Sequence, residues 1–282
     1  MRSRFFRLLL PVLCFCMISL GALAQSNEGT EAYEPEVHQE GKDVVWVPTA
    51  QALVDLMLDM AKVTPKDYVI DLGSGDGRTV ISAAKRGARA LGIEYNPDMV
   101  ALSRRNAVKE GVADRARFEK ADLFETDFSR ATVVTMFLLP TINAKLRPKI
   151  LALKPGTRIV SNTFDMGEWM PDRTENIDQG ERCTDWCTAL LWIVPARVEG
   201  SWKLPRGQLD LSQSFQMVTG TLKTGDRTEI IAKGMLTGDR IEFFAGQRRY
   251  TGVVRGNVME GRVASKAGAR RWRASRREPL SR

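Results

Sequence analysis

Histidine is almost missing from this chain of 282 residues: His38 is the single one, in a polar stretch near the N-terminus. A His-rich metal site is thereby excluded, and a Ser-His-Asp triad would have to use that one side chain. Cysteine is scarce as well. Cys14, Cys16, Cys183 and Cys187 are too few and too unevenly placed for a zinc site of four thiolates. With 43% hydrophobic and 27% charged residues, the composition is neither disordered nor that of a polytopic membrane protein. It suits one large or two modest globular domains. The net charge of +8 invites a nucleic-acid reading until the charges are located. Residues 1–24 carry +3 and the stretch from Arg262 to Arg282 carries +7, which leaves −2 for residues 25–261. The body therefore offers no footprint for phosphate backbones, and no specific nucleic-acid partner is expected. The basic end, from Ala269-Arg270-Arg271 onward, reads as a solvated, frayed terminus, with contact to anionic lipid or nucleic acid as the alternative.

Residues 1–24 have the layout of a secretory signal peptide. Arg2, Arg4 and Arg7 precede an apolar run from Leu8, and Ala22-Leu23-Ala24 offers a small-residue exit before Gln25. The alternative is an uncleaved N-terminal anchor, although the run is short for a span and contains Pro11. Either reading places the body outside the cytoplasm, in the periplasm or envelope. Residues 25–43 are polar and acidic and read as a flexible lead-in. From 44 to 195 short apolar strands alternate with amphipathic helices. The strand-like runs are 68–71, 90–94, 117–119, 132–137 and 158–161, and the helical ones 49–61, 77–86, 97–110 and 141–153. That texture predicts a parallel sheet covered on both faces. From 196 to 275 the texture changes to short alternating segments broken by Gly225-Asp226, Gly238-Asp239, Gly246-Gln247 and Arg255-Gly256-Asn257. An antiparallel sheet or barrel of about seven or eight strands is expected there, before a basic tail at 276–282.

The most informative stretch is Val69-Ile70-Asp71-Leu72-Gly73-Ser74-Gly75-Asp76-Gly77-Arg78. A buried strand ends in an acid, and the chain then turns through Gly73, Gly75 and Gly77 into a helix. Glycine lets backbone approach a ligand closely, and the helix N-terminus offers free N–H donors. A dinucleotide loop of the GxGxxG type would need glycine where Arg78 stands. An acid before the loop repels pyrophosphate but suits a cationic ligand carrying an ammonium and a sulfonium. Glu94 ends the next strand, where a carboxylate can accept both ribose hydroxyls, and Asp122-Leu123 follows the third, where a carboxylate can accept an exocyclic amine. Each acid alone is compatible with a solvated strand end. Three at successive strand ends make coincidence a poor account.

On these residues the chain resembles the class I S-adenosylmethionine-dependent methyltransferases over roughly residues 44–194. The resemblance implies a seven-stranded Rossmann-like α/β sheet in the order 3-2-1-4-5-7-6, with Leu190-Leu191-Trp192-Ile193-Val194 as the antiparallel last strand. It also implies S-adenosylmethionine as cofactor, with Asp71 and Gly73 near its methionine part, Glu94 at the ribose and Asp122 with Leu123 at the adenine. Val47-Pro48-Thr49, the Gly-rich loop, Phe137-Leu138-Leu139-Pro140 and Leu153-Lys154-Pro155-Gly156 look more narrowly like the branch of the ATP-synthase c-subunit lysine methyltransferase. Ala50 departs from that branch, which often has proline there. The secretory leader and the added β domain are further departures.

Methyl transfer from a sulfonium is an in-line displacement that needs alignment and a free lone pair. The acceptor is expected beside Leu138, Leu139 and Pro140, an apolar strand end that would lower the pKa of an entering lysine; ordinary core is the competing reading. The Asn/Asp-Pro-Pro-Tyr/Phe loop of base and amide methylation is absent. Pro48 and Thr49 either fold over the cofactor or enter the first helix, with Thr49 as N-cap. Trp169-Met170-Pro171 lines the acceptor mouth or anchors a loop, and Asp76 and Arg78 can pair with each other. Gly200-Ser201-Trp202 resembles the opening of lipocalin-type barrels, for acceptor capture, a lid, or passive packing. Cys183 and Cys187, four apart, can bridge in an oxidising compartment or stay as two thiols. The activity expected is methyl transfer to an acceptor, with a protein lysine as the suggested one. The rivals are a small-molecule O- or N-methyltransferase and a non-catalytic envelope binding protein on the same fold.

Overall fold

The computed structural model describes residues 33–276 apart from 179, 181 and 267. The expected signal peptide at 1–24, the start of the lead-in and residues 277–282 lie outside the described residues. A seven-stranded sheet is formed by β1 (Tyr68–Leu72), β2 (Arg89–Glu94), β3 (Ala116–Lys120), β4 (Val133–Met136), β5 (Arg158–Asn162), β6 (Arg173–Asn176) and β7 (Thr188–Ile193). Its order is β3-β2-β1-β4-β5-β7-β6, as expected. The first five strands are parallel, and β7 runs antiparallel between β5 and β6. The helices are α1 (Gln51–Met60), α2 (Arg78–Lys85), α3 (Pro97–Lys109) and α4 (Pro140–Leu151).

The central strands are mostly apolar and almost wholly buried because helices cover both faces. Their two-residue period sorts the core. Val69, Val133 and Val160 pack with the apolar stripes of α1 to α3, whereas Ile70, Leu72, Val134, Met136, Ile159 and Trp192 pack with Ile142 and Leu146 of α4. In α1, Leu53, Val54, Met57 and Leu58 form one inward stripe with no more than 2% exposure. Each such side chain contributes roughly 1.5–3 kcal/mol of burial. The same parity sends Asp71 to the face of Val69, at the C-terminal end of β1. Thr49 does not cap α1; the cap position falls on Ala50, which supplies no side-chain hydrogen bond. Pro48 holds the approach extended, and the helix begins two residues later than the periodicity suggests.

Beyond the sheet, β8 (Gly200–Leu204), β9 (Gly207–Ser214), β10 (Met217–Thr224), β11 (Arg227–Thr237), β12 (Arg240–Ala245), β13 (Arg248–Arg255), β14 (Val258–Ser265) and β15 (Gly268–Arg276) close an antiparallel barrel. The four expected turns fall between successive strands from β10 to β14. Trp202, Phe243, Tyr250 and Trp272 are among the rings in the barrel core; Phe243 stacks on Tyr250 at 4.7 Å, and Trp272 meets both edge-on. Trp202 donates to the Val198 carbonyl at 2.7 Å, and the Arg276 guanidinium lies 4.4 Å from its ring centroid. The frayed-terminus reading of the basic end is therefore corrected. Residues 268–276 are the barrel's last strand, fixed by hydrogen bonding to β14 and β8, and Arg271 and Arg273 face out while Trp272 and Ala274 point in.

Of the two readings of Trp169, the loop anchor is the one observed. It is fully buried, stacks on Phe215 at 5.9 Å between the sheet and the barrel, and accepts the Trp192 indole N–H on its carbonyl at 2.7 Å. Arg147 lies over the other ring of this joint, 5.3 Å from the Phe215 centroid, and Gln216 donates to the Met170 carbonyl at 2.8 Å. Trp169 anchors a joint; it does not line an acceptor mouth.

Candidate functional site

A cavity of about 550 Å³ opens at the C-terminal ends of β1, β2 and β4, the place where open α/β sheets bind ligands. Its floor is the loop from Gly73 to Asp76. Gly73 and Gly75 have φ of +79° and +52°, and a Cβ on Gly75 would stand 2.5 Å from the Trp46 indole nitrogen. Only glycine lets the backbone run this close to the cavity wall. Two side chains of α3 hold the loop from behind: Ser103 donates to the Gly75 carbonyl at 2.8 Å and Asn106 to the Asp76 carbonyl at 3.0 Å. Gly77 does not line the cavity. It precedes α2 with φ +83°, and a Cβ there would strike the Phe118 ring at 2.7 Å, so its smallness serves packing.

All three strand-end acids face the cavity. Asp71 is 5% exposed and accepts from the Thr135 hydroxyl at 2.6 Å. Burial pushes its carboxyl up to about 7, against the Thr135 hydrogen bond and with the charges of Glu94 and Asp76 adding to the rise. A carboxylate held so reluctantly gains most from an incoming cation. Glu94 is pinned by two backbone donors, Gly75 N to Oε2 and Asn96 N to Oε1, both at 2.9 Å. Asn96 then caps α3 by accepting from Asp98 N at 2.9 Å, with Pro97 in the first turn. The carboxylate is thus oriented by the loop on one side and the helix start on the other, with lone pairs left for a ligand. Asp122 accepts from Phe124 N at 2.8 Å and pairs with Lys42. The Lys42 hydrogen bond holds the Asp122 carboxyl below the usual range, and Asp122 raises the Lys42 ammonium in turn. Leu123 lines the wall beside it.

Residues 38–49 cross the cavity as a strap, which corrects the flexible lead-in for its last residues. His38 N donates to the Trp46 carbonyl at 2.8 Å, and Trp46 N to that of Gln39 at 2.9 Å. The Lys42 ammonium also lies 4.9 Å from the Tyr95 centroid. Pro48 and Thr49 lie in this wall; Arg78, paired with Asp76, donates to the Thr49 carbonyl at 2.9 Å. Met136, Phe137, Leu138, Leu139, Ile142, Phe164 and Trp186 give the cavity an apolar wall, which begins on β4 next to Thr135, the partner of Asp71. Leu138 is 2% exposed and belongs to the core as well, whereas Leu139 is 43% exposed at the rim. Pro140 starts α4 and does not line the cavity. Among the described residues, none of the barrel lines it either.

Sequence reasoning passed over Lys42, Ser74, Tyr95, Phe164 and Trp186. Trp186 carried the clearest signal, lying between the two cysteines. Those cysteines are bridged, with Cα atoms 5.9 Å apart. Phe164 and Trp186 flank Phe137 at ring-centroid distances of 5.7 and 5.9 Å.

A profile of the ANTKMT methyltransferase domain matches residues 71–173. Over 140 residues the chain is 45% identical to a protein-lysine N-methyltransferase of Saccharolobus islandicus (strain REY15A), covering 49% of this chain and 87% of that protein. The chain belongs to the class I S-adenosylmethionine-dependent methyltransferases. It is 38% identical to the ATP synthase c-subunit lysine N-methyltransferase of Xenopus laevis, over 45% of this chain and 56% of that protein. A crystal structure described as an RNA methyltransferase from Salinibacter ruber in complex with S-adenosyl-L-homocysteine is 49% identical. It covers 54% of this chain and 96% of its own, with a TM-score of 0.50.

The cavity of this methyltransferase fits S-adenosylmethionine on its own chemistry. The ligand's positive charge meets the buried carboxyl of Asp71; Glu94 and Asp122 are there for its hydroxyl and amine donors, and one wall is apolar. Ser74 lines the cavity through the loop, while its buried hydroxyl packs over Gly92.

Proposed function

We propose that this methyltransferase methylates the side-chain amine of lysine in a protein acceptor that enters past Phe137, Leu139 and Trp186. The observation that carries the reading is the apolar and aromatic wall formed by Met136, Phe137, Leu138, Leu139, Ile142, Phe164 and Trp186. An amine is a nucleophile only when deprotonated, and apolar surroundings disfavour the ammonium form. The names of the Saccharolobus and Xenopus relatives support the same acceptor class.

When bound, S-adenosylmethionine supplies an electrophilic methyl group on a sulfonium. In this reading Asp71 and the Gly73–Gly75 backbone receive the ligand's methionine end, Glu94 takes the ribose hydroxyls, and Asp122 with Leu123 takes the adenine. Pro48 and Thr49 wall the cavity through the strap. Catalysis then rests on alignment and exclusion of water, with no covalent bond to the protein. Leu138 backs the loop, since a Cβ on Gly73 would stand 3.1 Å from it; Leu139 forms the rim.

We also place the protein outside the cytoplasm, in the periplasm or envelope, with residues 1–24 removed as a signal peptide. The leader's layout and the Cys183–Cys187 bridge support this. Among the described residues no helix is long and apolar enough to cross a membrane. Incubating envelope extract with the protein and methyl-labelled S-adenosylmethionine, then sequencing labelled peptides by mass spectrometry, tests the function. Label on lysine supports it. Label confined to RNA or to small molecules refutes it. Intact-mass analysis of native material tests the compartment: a chain beginning at Gln25 supports export, and a full-length chain refutes cleavage.

A further inference from the structure

The bridged loop Cys183–Cys187 is built more firmly than its polar sequence suggests. Both cysteines are buried, at 2% and 8% exposure. Gly180 and Cys183 exchange backbone hydrogen bonds, and the Cys187 carbonyl accepts from Ile177 N at 2.9 Å. Between these fixed ends Trp186 sits in the left-handed region at φ +53°, where a bulky residue rarely goes unless its surroundings hold it. It remains 38% exposed, so it does not complete a core. Instead it lines the cavity, its ring tilted 58° to Phe137 at 5.9 Å, while Phe137 stacks with Phe164 at 5.7 Å.

We propose that Trp186, presented by the Cys183–Cys187 loop, is a specificity-determining residue that forms with Phe137 and Phe164 an aromatic seat for an amine-bearing side chain. The proposal rests on the lysine reading above and deepens it. As a methyl group reaches the amine, positive charge appears on the acceptor nitrogen. Phe137, Phe164 and Trp186 carry no carboxylate to meet that charge, but the faces of their rings attract it. The same rings accept a neutral amine with little loss, so the seat serves both the free base and the methylated ammonium. The bridge acts by position alone.

The test uses two short peptides and the protein saturated with S-adenosylhomocysteine. One peptide carries N,N,N-trimethyllysine; the other carries its uncharged tert-butyl isostere. Calorimetry should show the charged peptide binding about tenfold more tightly, the scale of a desolvated cation–π contact. Trp186→Ala should bring that ratio close to one, and Trp186→Phe should keep most of it. A Cys183→Ser/Cys187→Ser double variant should lower it without changing affinity for S-adenosylhomocysteine, which also confirms that the variants fold. Equal binding of the two peptides by the natural protein, no binding of the charged one, or an unchanged ratio in Trp186→Ala overturns the seat. Labelled lysine in an acceptor together with equal peptide binding refutes the seat alone. Absence of labelled lysine refutes the lysine reading, whatever the peptides do.

Discussion

Replacing Asp71 with asparagine should make the ligand-free protein more stable and weaken its binding of cofactor. Asp71 is 5% exposed, and burial lifts its carboxyl from 3.8 to about 7. Its folded pKa lies above its unfolded one. Between about pH 4 and 7 the folded state therefore holds a proton that the unfolded chain has released, and stability falls as pH rises through that window. A shift of about three units at ~1.4 kcal/mol each sets an upper bound of about 4 kcal/mol, fully developed above pH 7. Asparagine keeps an oxygen to accept the Thr135 hydroxyl but carries no charge to bury. The gain over the natural protein should be within about 1 kcal/mol near pH 4.5 and should reach about 2–4 kcal/mol at pH 8. Affinity for S-adenosylhomocysteine should fall by about 100-fold or more, because the neutral amide no longer counters an ammonium. Urea unfolding without ligand at pH 4.5, 6.5 and 8, beside calorimetry at pH 8, measures both effects. A variant less stable than the natural protein at pH 8, or a gap that does not change with pH, would refute the reasoning.

Three further substitutions separate the parts of the molecule. Gly75→Ala drives a Cβ into the Trp46 indole at a positive φ and should weaken S-adenosylhomocysteine binding at least tenfold while costing about 1–3 kcal/mol of stability, read by calorimetry and urea melts. Leu139→Asp adds charge at an exposed rim position; turnover should drop at least tenfold while cofactor affinity stays within twofold, as a labelled-methyl assay beside calorimetry would show. Phe215→Ala removes the ring that Trp169 and Arg147 cover. It should cost about 2–4 kcal/mol of stability and leave cofactor affinity unchanged, since no described barrel residue lines the cavity.

The strands and the loop were legible because their signals are local. A buried apolar run ending in Asp71, three alternate glycines and paired Gly-polar turns each dictate backbone geometry over a few residues. β6 was not legible: Arg173-Thr174-Glu175-Asn176 is polar and largely exposed, and it is a strand only because β7 offers it a ladder. The strap was hidden for the same reason. Its polar composition reads as lead-in, yet Lys42 finds Asp122 80 residues away, a partner no local pattern reveals. The acids Asp71, Glu94 and Asp122 were readable from strand ends, whereas Ser103 and Asn106, which hold the loop, look like ordinary helix positions. Trp186 lay between two cysteines whose bridging was expected, but its backbone conformation follows from the packed bridge and not from its neighbours in sequence. The basic end misled because charge alone does not distinguish a solvated tail from the outer face of a barrel strand.

Calorimetry of S-adenosylhomocysteine binding to the natural protein and to Glu94→Ala tests the central claim most directly. Glu94 is held by Gly75 N and Asn96 N and keeps its outer lone pairs for the ligand. Its loss should remove charge-assisted hydrogen bonds of roughly 2–3 kcal/mol, a drop of about 30- to 150-fold in affinity, while the melting temperature without ligand shifts by only a few degrees. No binding by the natural protein, or equal binding by the variant, would contradict the assignment of this cavity to S-adenosylmethionine.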